Sequence, residues 1–134
     1  GDPERLRVAL DEGATVIAAH ACSYGLIVYE KFLPTLREFV ARYPNFYCDI
    51  SALTLPNRFR MLLHLRHEPD VQERLLFGTD YPLSVFHLAA WGRVAFGTLR
   101  KMMQTKNRFD RQVEVCNGLK LGFRSLGDIL IHRN

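Results

Sequence analysis

Leu75-Leu76-Phe77-Gly78-Thr79-Asp80-Tyr81-Pro82 is the stretch on which the reading of this chain turns. An apolar strand-like run passes through a glycine and a threonine to a carboxylate, and a proline then turns the chain. Where strands alternate with helices, chemistry collects beyond the carboxyl ends of parallel strands, so an aspartate placed there is a functional candidate. An aspartate before a proline also serves as an ordinary turn residue. The rest of the sequence decides between the two.

Two further runs have the same build. Val16-Ile17-Ala18-Ala19-His20 is apolar and ends in a histidine, and Phe46-Tyr47-Cys48-Asp49-Ile50-Ser51 is aromatic and β-branched and ends in small polar groups. Both have the composition of strands. The three runs begin at residues 16, 46 and 75, spaced 30 and 29 residues apart, about the length of one strand–helix–strand unit. The intervals between them carry the helical period. Phe32, Leu33, Leu36, Phe39, Val40 and Tyr43 predict an amphipathic helix with Pro34 in its first turn and Pro44 past its end. Phe59, Leu62 and Leu63 mark a second stripe, on a helix that Pro56 opens and Pro69 closes.

Upstream, residues 3–12 read as a helix that Gly13 ends in a left-handed turn. Downstream, residues 85–103 read as one long apolar helix weakened by Gly92 and Gly97. A last helix is expected around residues 110–121, with Asn107 as its cap. Ile129-Leu130-Ile131 follows without an assigned role. The expectation is an α/β chain with three parallel strands in sequential order and five or so helices.

Composition narrows the function classes. The 134 residues are 48% hydrophobic and 24% charged, with no apolar run long enough to span a bilayer and no signal-peptide pattern. A soluble, cytoplasmic protein without a membrane partner is expected. Cys22, Cys48 and Cys116 are odd in number and sit in apolar company, which predicts buried, reduced thiols. The net charge of +4 comes from Lys and Arg spread along the chain. That spread describes solvated faces, and nucleic acid is not an expected partner.

A full eight-unit barrel takes about 250 residues, and this chain holds three units. In order and spacing, VIAAHA, NFYCDISAL, RLLFGTDYPL and NGLKLGF resemble the C-terminal part of the metal-dependent amidohydrolase superfamily. The similarity is to the branch of carboxymuconate-semialdehyde decarboxylase-like TIM-barrel proteins. The segments resemble that family's sixth, seventh and eighth strands and its closing helix, and the resemblance covers most of residues 1–123, leaving 124–134 as a C-terminal tail. The fold it implies is a partial (β/α)8 TIM barrel.

The resemblance also implies roles. Asp80 matches the eighth-strand aspartate, which ligates or lies beside the catalytic divalent metal and shuttles a proton from the attacking water. His20 matches the sixth-strand histidine, which binds metal in some members and activates water or polarises substrate in others. Both are thus expected as catalytic residues and as metal ligands, with zinc the expected metal. Asp49 and Ser51 match a seventh-strand segment with no universal catalytic duty. Zinc brings the pKa of bound water from 15.7 to about 7, and a carboxylate beside it can take the released proton. The family's first-strand His-x-His and fifth-strand ligand have no counterpart here, so most ligands are expected from outside the chain. His64 and His67 would share a helix face, yet with no third ligand in sight they read as solvent-facing. His87 reads as a helix surface residue, and His132 carries no reading.

The functional expectation is therefore a segment of a metal-dependent hydrolase acting on a small carbonyl or carboxylate substrate, or of a decarboxylase or hydratase of the same superfamily. The alternative is a non-catalytic half-barrel whose open sheet face serves self-association or receives another subunit, such as the missing N-terminal barrel half. Gly1-Asp2-Pro3 has no initiator methionine, which favours a fragment or processed product. A strand-borne His-x-His encoded upstream would decide for the enzyme. Alone, the 134 residues are expected neither to hold metal tightly nor to turn over substrate.

Overall fold

Three short strands pair in sequence order, all parallel: β1 (Val16–Ala18), β2 (Phe46–Asp49) and β3 (Leu75–Leu76). Val16 lies opposite Phe46 and Ala18 opposite Cys48, while Cys48 and Asp49 face Leu75 and Leu76. The structure is a computed structural model that describes residues 1–26 and 28–131. His132 lies outside the described residues. Within them the architecture is mixed α/β, and no helix is long and apolar enough to cross a membrane.

Seven α-helices surround the strands among the described residues. A 3-10 turn over Pro3–Leu6, capped by the Asp2 side chain, leads into α1 (Arg7–Asp11), and Gly13 leaves it at φ +80°. The predicted stripe becomes α2 (Leu33–Arg42), with Pro34 in its first turn and Leu33, Leu36 and Phe39 buried. The second stripe forms α3 (Phe59–Leu65). Pro69 does more than end that segment, since it opens a further short helix, α4 (Pro69–Gln72); its missing N–H costs nothing at that position. Then come α5 (Phe96–Gln104), α6 (Arg108–Gly118) and α7 (Leu126–Ile131). As predicted, Asn107 caps α6, its side chain accepting from the N–H groups of Phe109 and Asp110 at 2.9 and 3.4 Å.

The single helix expected over residues 85–103 is broken. One 3-10 turn covers Leu88–Ala90, and Gly92 then adopts φ +67° before α5 begins at Phe96. The carbonyl of Val85 is taken by the guanidinium of Arg111 at 3.3 Å. A left-handed glycine and a carbonyl engaged by a side chain both divert the backbone from the helical ladder, against the apolar pattern.

The two sheet faces differ. Val16, Ala18, Phe46, Cys48 and Leu75 share the face that packs on helices, and Phe39 of α2 meets Phe46 edge-on at 5.4 Å. Ile17, Tyr47 and Asp49 alternate onto the other face, where Ile17 is 44% exposed. The outer edge of β3 is paired: Arg124 N–H donates to Leu75 O, and Phe77 N–H to Arg124 O, both at 2.8 Å. Residue 124, taken above as the start of the tail, thus continues the sheet by one bridge. The outer edge of β1 has no strand partner among the described residues.

All three cysteines are free and buried. Burial pushes the Cys116 thiol up to about 12, and burial with the nearby Asp49 charge does the same for Cys22. Cys48 is raised well above its ordinary range by burial, then by Cys22 and Asp49. The unfolded chain therefore loses thiol protons first, and the unfolded state binds fewer protons above about pH 9. Stability is fully present below that pH and falls as pH rises towards about 12. Urea midpoints should drop between about pH 8.5 and about pH 10.5, and Cys116→Ala should flatten the slope. An identical slope in that variant would contradict the assignment.

Candidate active site

His20 and Asp80 leave strands that are not neighbours. β1 and β3 flank β2, so their axes lie roughly 9 to 10 Å apart at the usual strand spacing. Nevertheless His20 Nε2 and Asp80 Oδ2 face each other at 3.6 Å over the carboxyl end of β2. The backbone explains how. β1 stops at Ala18, and His20, Ala21 and Cys22 follow at φ +56°, +46° and +58°, while Asp80 adopts φ +52°. After β1 and after β3 a left-handed residue carries the candidate side chain towards the other.

Left-handed backbone costs a residue with a side chain about 1–2 kcal/mol. Three in succession need compensation, and Asp49 supplies part of it. Its Oδ1 accepts the backbone N–H of His20 at 2.9 Å, the backbone N–H of Ser51 at 3.0 Å and the Ser51 hydroxyl. Ser23 N–H closes the turn on His20 O at 2.8 Å. The imidazole is held from behind, with Nδ1 at 2.8 Å from Ser51 Oγ and 3.0 Å from Ser51 O. Its side chain stays 26% exposed and that of Asp80 41%, so both reach solvent.

Two residues to which the sequence reading assigned no role hold the frame. Gln112, on α6 and 2% exposed, donates its amide to Gly78 O at 2.7 Å and Ile50 O at 3.3 Å, joining the ends of β3 and β2. Its Oε1 is buried without a hydrogen-bond partner among the described residues. The signal in the sequence is a polar residue within the buried stripe that also holds Val115 and Cys116. Gly78 is the other. A Cβ there would come within 3.1 Å of Asp49 Cβ and Cγ, so the glycine of Phe-Gly-Thr-Asp makes room for the Asp49 carboxylate. Asp49 and Ser51, matched above to a segment with no universal catalytic duty, are the direct supports of His20.

On the other side of His20 lies an open cavity of about 430 Å³ whose walls include Ile17, Ala18, Cys22 and Arg58. Arg58 donates to Ser23 O at 2.9 Å and so ties the loop after β1 to the loop after β2. An imidazole nitrogen and a carboxylate oxygen suit a divalent cation such as zinc in kind. In number they fall short: among the described residues no group of three or more His, Cys, Asp or Glu gathers to hold a metal ion. His64 lies in the last turn of α3, and His67 lies beyond that helix, exposed. His87 stacks on Trp91 with ring centroids 6.3 Å apart.

Gly78→Ala tests the frame. The added methyl has to displace the Asp49 carboxylate, at a cost of about 1–3 kcal/mol for overpacking, read as a lowered denaturation midpoint. The His20 ring resonances should shift with it, and a variant with both unchanged would separate Asp49 from Gly78. Compared with family models, with curated proteins and with solved structures, the chain matches none.

Proposed function

We propose that this chain is the sixth-to-eighth-strand portion of a metal-dependent hydrolase of the amidohydrolase kind, built as a TIM barrel and acting on a small carbonyl or carboxylate compound. The observation that supports it best is the meeting of His20 Nε2 and Asp80 Oδ2 at 3.6 Å from two non-adjacent parallel strands. His20 and Asp80 both carry left-handed backbone, and strain of this kind gathers at functional sites. His20 and Asp80 would hold the divalent cation together with ligands from outside the described residues. When bound, that cation supplies Lewis-acid activation of water and of the substrate oxygen.

The chain's own residues do the rest. Asp80, exposed and acceptor-only when ionised, takes the proton released by the attacking water and returns it to the leaving group. His20 orients water or substrate through Nε2, because Ser51 holds its other nitrogen. The same pair would serve a decarboxylase or hydratase. Release of carbon dioxide marks the decarboxylase; hydrolase and hydratase both consume water, the one to cleave a bond of the substrate and the other to add across a double bond.

In the protein that carries the full ligand set, Asp80→Asn should keep the fold and lower turnover by about 10²- to 10⁴-fold through loss of the proton acceptor. The assay is a panel of small esters, lactones, amides and carboxylic acids with zinc supplied. His20→Asn should also lower turnover while changing bound zinc less. Near-normal turnover in a folded Asp80→Asn variant would make Asp80 a turn residue and end the hydrolase reading.

One observation favours a second reading, a half-barrel that associates through its sheet. Ile17 is 44% exposed on the face away from the helices, beside the unpaired edge of β1. Apolar surface beside free strand hydrogen bonds is what another chain covers. Sedimentation equilibrium should then show a dimer that Ile17→Lys dissociates, and a monomer across the concentration range would count against it.

A further inference from the structure

The groups behind His20 fix more than its position. Nδ1 lies between two oxygens, Ser51 O at 3.0 Å and Ser51 Oγ at 2.8 Å. A carbonyl oxygen only accepts. The hydroxyl has one proton, and it is directed at Asp49 Oδ1, so towards His20 it presents lone pairs. With acceptors on both sides, Nδ1 must carry a hydrogen. Asp80 Oδ2, at 3.6 Å from Nε2, lies beyond hydrogen-bonding distance while the Ser51 oxygens lie within it, so in the neutral ring the hydrogen stays on Nδ1 and the lone pair belongs to Nε2.

We propose that Asp49 is a positioning residue that works through the Ser51 hydroxyl and the His20 backbone N–H. It keeps the neutral imidazole in its Nδ1–H form, with the Nε2 lone pair presented on the Asp80 side. The functional weight of this rests on the hydrolase reading; the tautomer itself does not. Without the Asp49 carboxylate, the Ser51 hydroxyl is free to turn and donate to Nδ1, which would transfer the ring hydrogen to Nε2. The lone pair would then point at the wrong neighbour. Ser51 O alone still favours Nδ1–H, so the hydroxyl matters as a competitor once it is released.

Asp49 also anchors the backbone from which the ring hangs. One oxygen, Oδ1, binds the His20 N–H and sets the direction of the Ser51 hydroxyl. Removing it loosens the left-handed turn and releases the hydroxyl together. A residue that served only to hold the turn would change stability and leave the tautomer alone. The two roles are therefore separable by spectroscopy.

The experiment is 15N NMR of the histidine-labelled, chelator-treated chain at a pH where the His20 ring is neutral. In the wild type, Nε2 should resonate at the far-downfield position of an unprotonated ring nitrogen and Nδ1 at the upfield position of a protonated one. Asp49→Ala should pull both towards averaged values. Asp49→Leu fills nearly the same volume without an acceptor and serves if the alanine variant unfolds. Asp49→Asn keeps an oxygen that accepts from Ser51 and should restore the wild-type pattern. A wild-type ring protonated at Nε2, or a folded Asp49→Ala or Asp49→Leu variant with the wild-type pattern, would overturn the proposal. No metal or substrate enters the measurement, so its outcome and that of the Asp80→Asn assay stand or fall separately.

Discussion

A single carboxylate oxygen at the end of β2 holds the candidate site together. Asp49 Oδ1 collects the N–H of His20, the N–H of Ser51 and the Ser51 hydroxyl. Hydrogen bonds to an ionised acceptor are among the stronger ones, contributing about 1.5–3 kcal/mol each. That is the scale needed to offset three successive left-handed residues at about 1–2 kcal/mol apiece. Without such an anchor the segment after β1 would have no reason to curl over β2, and His20 would remain on its own side of the sheet.

The anchor works because its surroundings are rigid. Gly78 presses its bare Cα against Asp49, and Gln112 reaches from α6 to the carbonyls of Ile50 and Gly78. The ends of β2 and β3 are thereby fixed relative to each other, and Asp80 follows two residues after Gly78. Beneath them Phe39, Phe46, Cys48 and Leu75 fill the helix-facing side. Close-packed interiors transmit displacement rather than absorb it, so the 3.6 Å approach of His20 and Asp80 depends on contacts that neither residue makes itself.

How much of this the sequence discloses depends on the range of the interaction. Local signals read well. The near-thirty-residue recurrence of strand-like runs marked the three strands, Pro34 and the stripe through Phe39 marked α2, and Asn107 marked the start of α6. The continuous helix over residues 85–103 failed because apolar composition does not reveal a glycine that turns left-handed or a carbonyl captured by Arg111. Asp49 was visible as a strand-end residue but not as a hub, since its partner His20 lies 29 residues away. Gln112 acts across 62 residues to Ile50, beyond any local pattern. Sequence could place His20 and Asp80 at strand ends; only the fold shows what supports them.

The position of the pair relative to the bare parts of the sheet bears on how a site could be completed. His20 faces Asp80 and also lines the cavity along β1, which the exposed Ile17 lines too, on the strand that has no outer strand partner among the described residues. On the β3 side, Arg124 already occupies the edge. A strand or subunit that adds beside β1 would bring the groups at its carboxyl end next to His20, while closing a barrel also asks a strand to pair along β3, beyond the single bridge that Arg124 makes. The two readings of this chain meet at β1, because the surface suited to association is also one beside which groups from another strand would reach His20. A partner that covered Ile17 would also border His20, since both line the same cavity.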